Sequence, residues 1–225
     1  MEDPIDDLNF SKKFRVPSGE VTLFDKTSNF IVLPPPTANS SLETGKEMLT
    51  VQGATYLRSD SIIRSVKKHD KDPVYAIKMY MDLFGLKYDE KYIKKVLDES
   101  GILIAEQKLK FNRPRPYQLA PYYGVDLEVL NSRTNKSPSY PSGHSAQARL
   151  VAEIYGAKYP PHKENLLKAA EEAGFGRVIA GFHFPSDHKG GVGFARRLFN
   201  RLKKRKKAIP PKYNKVFDLK QKNRR

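Results

Sequence analysis

Pro138-Ser139-Tyr140-Pro141-Ser142-Gly143-His144-Ser145 opens the stretch that decides the fold. Pro141 cannot sit deep in a helix, and Ser142 is a strong N-cap. Beyond them Ala146, Leu150, Ile154 and Ala157 recur at helical spacing, so the pattern predicts a helix that starts here. A helix N-terminus presents N–H groups without intrahelical partners and a partial positive charge, both of which favour an anion. Gly143, lacking a Cβ, lets an anion approach the backbone. His144 stands next to it with a proton to give or take near neutral pH. The stretch reads either as an anion cradle with a titratable group or as an ordinary capped helix, and eight residues alone support both.

Working outward, the same 3.6-residue rhythm recurs on both sides. Asn39-Ser40-Ser41 after Pro34-Pro35-Pro36 caps a helix over about 42–57. Asp60 caps a short one through Ile62, Ile63 and Val66. Asp72-Pro73 starts another that carries Ile77, Tyr80, Met81 and Phe84 and ends at Gly85. Asp89 opens a longer helix through Ile93, Val96, Leu103 and Leu109. From Pro114 to Pro141 the periodicity is lost, and a loop of that length in a compact domain is usually functional. After Pro160-Pro161 a helix is expected over about 163–180, and Pro185 starts a last one through Leu198 and Leu202. Gly174, Gly176 and Gly181 would thin the wall of the first of these, for close packing or a ligand. No repeat, heptad or strand alternation is present. The expected fold is all-α: a single-domain helical bundle over residues 33–200, with the active site at helix ends and loops on one side. Residues 1–32 form an N-terminal arm and 201–225 a basic tail in this reading.

Composition narrows the functions. The 225 residues contain no cysteine, which excludes disulfides, thiolate metal sites and a thiol nucleophile. No window approaches a membrane span, and residues 1–20 are acidic and polar without an apolar leader core. These features lead to the expectation of a soluble, cytoplasmic protein. Most of the net charge of +16 is C-terminal, since residues 196–225 hold fourteen Lys/Arg against the single acid Asp218. The tail is either a solvated basic end or a weak attachment to nucleic acid or an anionic membrane surface. Tyr213 and Phe217 are the only aromatics after 207, too few for a base-stacking platform.

Three segments carry chemistry. They are Lys108 with Arg115-Pro116 seven residues on, Pro141-Ser142-Gly143-His144, and Arg177 with His183 and Asp187 following at intervals of six and four. Each alone is ambiguous, because Lys and Arg near helix C-termini often meet only the dipole and water. Together they supply three cations, helix-terminal donors, two imidazoles and a carboxylate, the parts needed for phosphoryl transfer without a metal. His69, His162 and His188 match none of the segments and read as surface residues.

The ordered trio resembles the signature of the type 2 phosphatidic acid phosphatase superfamily, which includes the vanadium haloperoxidases. It is most similar to the bacterial class A non-specific acid phosphatases. Leu33-Pro34-Pro35-Pro36 with Ser40-Ser41, and Ser139-Tyr140 before the central motif, extend the likeness over roughly residues 30–200. Two departures stand out: Gly176 replaces the serine that usually precedes the third-motif arginine, and a secretion signal is not visible. The resemblance implies that His183 is the nucleophile, Asp187 its orienting carboxylate and His144 the general acid and base. It further implies that Lys108, Arg115, Ser142, Gly143 and Arg177 bind the phosphoryl oxygens of a small phosphorylated substrate, with no metal or other cofactor. Vanadate is expected as an inhibitor. Two other functions remain open at this level: a haloperoxidase holding vanadate as cofactor in the same cradle, and a binder of nucleic acid or anionic surfaces acting through the tail.

Overall fold

The computed structural model describes residues 4–24, 33–132 and 134–207. Its helices follow the caps that the sequence supplies. Helix α1 (Leu42–Tyr56) starts at Ser41, whose hydroxyl accepts from Thr44 N. Helix α2 (Asp60–Lys71) is capped by Ser59, one residue before the expected Asp60, and runs a full turn beyond Val66. Helix α3 (Tyr75–Leu83) stops before Gly85, which takes a left-handed φ of 61°. Helix α4 (Glu90–Phe111) is capped by Asp89 and runs through Gly101 unbroken. Inside the expected loop lies one helical turn, α5 (Pro116–Leu119), followed by a 3₁₀ turn over Ala120–Tyr123. Four residues are too few to leave a periodic trace, and proline at the first position is what pre-sets the turn.

Helix α6 (Gly143–Lys158) is the axis of the bundle, capped by Ser142 as expected. It is buried on nearly every side, through Ala146, Ala148, Leu150, Val151, Ala152, Ile154 and Tyr155. Such a helix is a core element rather than an amphipathic surface one. Helices α7 (Lys163–Ile179) and α8 (Pro185–Lys204) pack along it, and α4 closes another side. Among the described residues there is no strand, and the fold is all-α as expected. A second apolar cluster joins Met48, Val51 and Ala54 of α1 to Leu119, Val178 and Phe184, under the loop end of the bundle.

Both ends of the expected domain extend further. Leu23 and Phe24 are buried in the main core, and Glu99 of α4 accepts from the Thr22 and Leu23 N–H groups at 2.8 and 2.6 Å. The described part of the arm is therefore docked. Helix α8 passes residue 200 and buries Leu202, so the tail's first turn belongs to the bundle. Residues 208–225 of the tail lie outside the described residues.

Candidate active site

The three segments meet because α6, α7 and α8 alternate in direction. This puts the start of α6, the end of α7 and the start of α8 at one end of the bundle, where α4 also terminates. Lys108 lies in the last turn of α4, Ser142 and His144 at the start of α6, Arg177 in the last turn of α7, and Asp187 in the first turn of α8. Between α7 and His183 the chain must reverse sharply. Gly181 does so with φ 78°, and a Cβ there would also crowd the Glu128 carbonyl at 3.3 Å.

Asp187 is fully buried and serves two purposes. Its Oδ2 accepts from Phe184 N at 2.8 Å, which caps α8, and faces His183 Nδ1 at 3.4 Å. Ser139 Oγ donates to the same oxygen at 2.5 Å, and Arg113 NH1 reaches Oδ1 at 2.7 Å. Burial opposes its charge, but Arg113 and the donors from His183 and Ser139 outweigh that and hold the carboxyl below the usual range. A carboxylate accepting at Nδ1 assigns the proton to that nitrogen and leaves Nε2 with a lone pair. That Nε2 lies 3.4 Å from Arg115 NH1. Burial, then Arg115, pushes His183 well below its ordinary value, so the ring is neutral in the anion-free protein.

The cations divide into two kinds. Arg113, absent from the sequence-derived set, is neutralised: it pairs with Asp187 and with Glu47 and stacks on the Phe184 ring, 4.2 Å from its centre. Lys108 and Arg115 are held by uncharged carbonyl oxygens instead. Lys108 Nζ donates to Pro138 O and Ser139 O. Arg115 donates through Nε to Ser137 O at 2.8 Å and through NH1 to Phe182 O at 2.7 Å. Among the described residues neither pairs with a carboxylate, so their charge is left for the pocket. Burial and their mutual repulsion depress both, Lys108 well below its ordinary value and Arg115 to about 10. A bound anion removes that repulsion.

Arg177 is 1% exposed and is met by a residue that the sequence did not single out. Asp70 Oδ1, from α2, accepts from its NH1 at 2.5 Å, and Thr134 Oγ1 accepts from NH2 at 2.6 Å. Among the described residues the buried Nε has no hydrogen-bond partner. His144 turns its Nε2 to the Asp70 carbonyl at 3.2 Å. Burial, then Arg177, lowers His144 from 6.5 to about 3, so without an anion it too is neutral. Next to Asp70 a cavity of about 800 Å³ is lined by Lys67, Lys68, Lys71, Asn131, Ser132 and Thr134. No local pattern announced Asp70 or Thr134, because their contacts with Arg177 cross 107 and 43 residues.

All eight sequence-predicted residues thus lie at one end of the bundle. At Gly143 a Cβ would meet only Ile104 Cγ2 at 3.7 Å, an ordinary contact, so the protein itself does not require glycine there. At Gly176 a Cβ would meet Val66 Cγ2 of α2 at 3.5 Å, an ordinary contact. Two of the three remaining histidines correct the sequence reading. His69 and His188 are buried, 2% and 6% exposed: the His69 ring lies edge-on to Tyr75, and His188 packs against Glu171 and Gly174 of α7. His162 is half-buried and bonds Tyr80 Oη at 2.9 Å.

Residues 96–204, which hold every one of the eight, match the PAP2 superfamily. Those residues belong to that superfamily. The PAP2 segment extends into wider similarity to a non-specific acid phosphatase of Providencia stuartii, 26% identical over 68% of this chain and 65% of that one. An acid phosphatase of Zymomonas mobilis is 28% identical over 70% of this chain and 62% of its own length. A non-specific acid phosphatase of Salmonella typhimurium is 35% identical over 41% and 38%. The chain therefore spans under two thirds of these relatives. In fold, the helical bundle is similar to the transmembrane PAP2-type phosphatidylglycerolphosphate phosphatase of Bacillus subtilis (TM-score 0.55, 20% identity, 76% of this chain and 90% of that one). It is also similar to a bacterial vanadium-dependent iodoperoxidase (TM-score 0.53, 16% identity, 76% and 51%). Among the described residues no helix is long and apolar enough to cross a membrane.

Proposed function

We propose that the protein hydrolyses small phosphomonoesters through a phosphohistidine on His183, without a metal ion. The observation that carries the reading is the orientation of His183, with Nδ1 toward Asp187 and Nε2 beside Arg115. A neutral ring held this way offers its lone pair to phosphorus. As the Nε2–P bond forms, the P–O bond to the leaving group breaks, and Asp187 offsets the charge that grows on the imidazole. Lys108, Arg115 and Arg177, with Ser142 and the Gly143 N–H, take the non-bridging oxygens. Their uncancelled charge is best matched by the phosphoryl group as charge spreads over its oxygens.

His144 gives its proton to the departing oxygen and then takes one from the water that cleaves the N–P bond, which frees phosphate and restores His183. Burial and Arg177 keep His144 neutral, so the role needs a substrate whose negative charge offsets Arg177 and raises the imidazole. A phosphate dianion supplies that. The same three cations repel a divalent ion, which supports a metal-independent reaction.

The names of the sequence relatives support phosphatase over haloperoxidase. In this reading vanadate enters the cradle as an inhibitor. An anionic partner for residues 201–225 remains a separate proposal, resting on charge alone. Assay of the purified protein against a panel of phosphomonoesters, with EDTA and with vanadate, tests the function. Hydrolysis that persists in EDTA and stops with vanadate is expected. Activity lost in EDTA and restored by a divalent ion contradicts metal independence.

A further inference from the structure

In the proposed reaction His144 protonates the departing oxygen, so the rest of the leaving group lies on the His144 side of the cradle. On that side His144 Nε2 is 3.2 Å from the Asp70 carbonyl, in the last turn of α2. Asp70 also lines the cavity of about 800 Å³, and so does Thr134, whose hydroxyl holds Arg177 NH2 at 2.6 Å. Asp70 and Thr134 are therefore shared between cradle and cavity. A volume of this size is ample for a small organic group.

The charge of the lining is one-sided. Three lysines, Lys67, Lys68 and Lys71, face a single acid, Asp70. That carboxylate is already answered: it accepts from Arg177 NH1 at 2.5 Å, from Ser132 Oγ at 2.8 Å and from Thr134 Oγ1 at 2.5 Å. The lysines are not. All three are exposed, and among the described residues none pairs with a carboxylate. Nearby acids are occupied elsewhere, Asp72 by Lys78 at 3.3 Å and Glu172 by Ser65 at 3.0 Å. Lys67 and Lys71 stand four residues apart on α2, a spacing at which like charges repel. The helix dipole favours cations in the last turn, but it does not require three of them to gather on one cavity. An anion between them relieves the repulsion.

We propose that this cavity is a leaving-group subsite for small organic phosphates that carry a second phosphate, which Lys67, Lys68 and Lys71 hold while the first is cleaved in the cradle. The inference rests on the phosphatase reading above and narrows it from phosphomonoesters in general to bisphosphorylated ones. Binding at the second phosphate is remote from the reacting atoms, and it helps by fixing the scissile ester against His183 and His144.

Symmetrical alkanediol bisphosphates of increasing frame length, each compared with its matching monophosphate, test the subsite. The readout is the ratio of kcat/KM within each pair at low salt. Wild type should favour the best-fitting bisphosphate by about tenfold, beyond the statistical advantage of two equivalent phosphates. In the triple variant Lys67→Gln, Lys68→Gln, Lys71→Gln the ratio should fall to that statistical level. A control with Lys203→Gln, Lys204→Gln and Lys206→Gln removes the same charge at the far end of α8 and should keep the wild-type ratio. An equal fall in both variants would assign the preference to net charge and overturn the subsite. Wild type that hydrolyses monophosphates but shows no preference overturns it too, with the phosphatase reading left standing. Should the triple variant fail to fold, salt decides on the wild type. The preference should vanish between about 0.02 and 0.5 M NaCl, and a ratio untouched by salt overturns the proposal. Hydrolysis of neither substrate would instead remove the phosphatase reading itself, and this inference with it.

Discussion

His183 Nδ1 lies 3.4 Å from Asp187 Oδ2, and the same oxygen caps α8 through Phe184 N. The carboxylate thus fixes the tautomer of the ring and the start of the helix that carries it. Asp187→Asn offers an N–H where Nδ1 already has one, which favours the wrong tautomer. Turnover should fall by about 10³–10⁴, read as kcat on a phosphomonoester. A loss below tenfold in a folded variant would contradict the orienting role.

Arg113 and Arg115 stand two residues apart and should fail differently. Arg113→Ala leaves Asp187 buried without its strongest partner and should cost about 3–5 kcal/mol of stability, measured by urea unfolding. Arg115→Lys keeps a charge but loses the fork that grips two oxygens, so kcat/KM should fall by about 10²–10³. Equal stability losses in the two variants would erase the distinction drawn between them.

The fold was legible in the sequence where single residues decide it. Ser142 before the run from Ala146 to Ala157, Asp89 before α4 and Gly85 after α3 each state a helix end. The site was legible only as motif: spacing places Lys108, Arg115, His144 and His183 on helix ends, while their convergence comes from the alternation of α6, α7 and α8. What spacing hides is any partner brought in from elsewhere in the chain. Asp70 looks like one more charge on a basic helix until α2 packs against α7, and His188 looks like a surface residue until Gly174 is seen to admit its ring. Arg113 sat in plain view within Arg113-Pro114-Arg115, but sequence cannot say which arginine faces a carboxylate and which faces carbonyls.

Asp70 places a carboxylate on Arg177 at 2.5 Å, where a substrate oxygen competes for the same donor. Asp70→Asn removes that negative charge. Product inhibition by inorganic phosphate should tighten several-fold, while Thr134 still holds NH2. An unchanged or weaker inhibition constant would show that Asp70 only positions the arginine.

Stability should depend on pH through the imidazoles of His183 and His144. Burial lowers His183 well below its ordinary value and His144 from 6.5 to about 3. Below pH 6.5 the unfolded chain therefore binds protons that the folded one refuses, and stability falls as pH falls, progressively toward pH 3. Phosphate, which raises both groups on binding, should restore more stability at pH 5 than its effect at pH 8. Thermal melts with and without phosphate measure this, and a ligand-free protein whose melting temperature rises on acidification from pH 6.5 would contradict it.

The phosphoenzyme itself can be trapped. The protein is mixed with a nitrophenyl phosphate, quenched at high pH to preserve an acid-labile N–P bond, and the phosphorylated peptide is located by mass spectrometry. Phosphate is expected on His183, with none in His183→Ala, and with accumulation in His144→Ala alongside an early burst of nitrophenol. The burst follows because an acidic leaving group departs without a proton, whereas water must still be activated. Phosphate retained by folded His183→Ala and abolished by folded His144→Ala would reverse the two roles and contradict a phosphohistidine on His183.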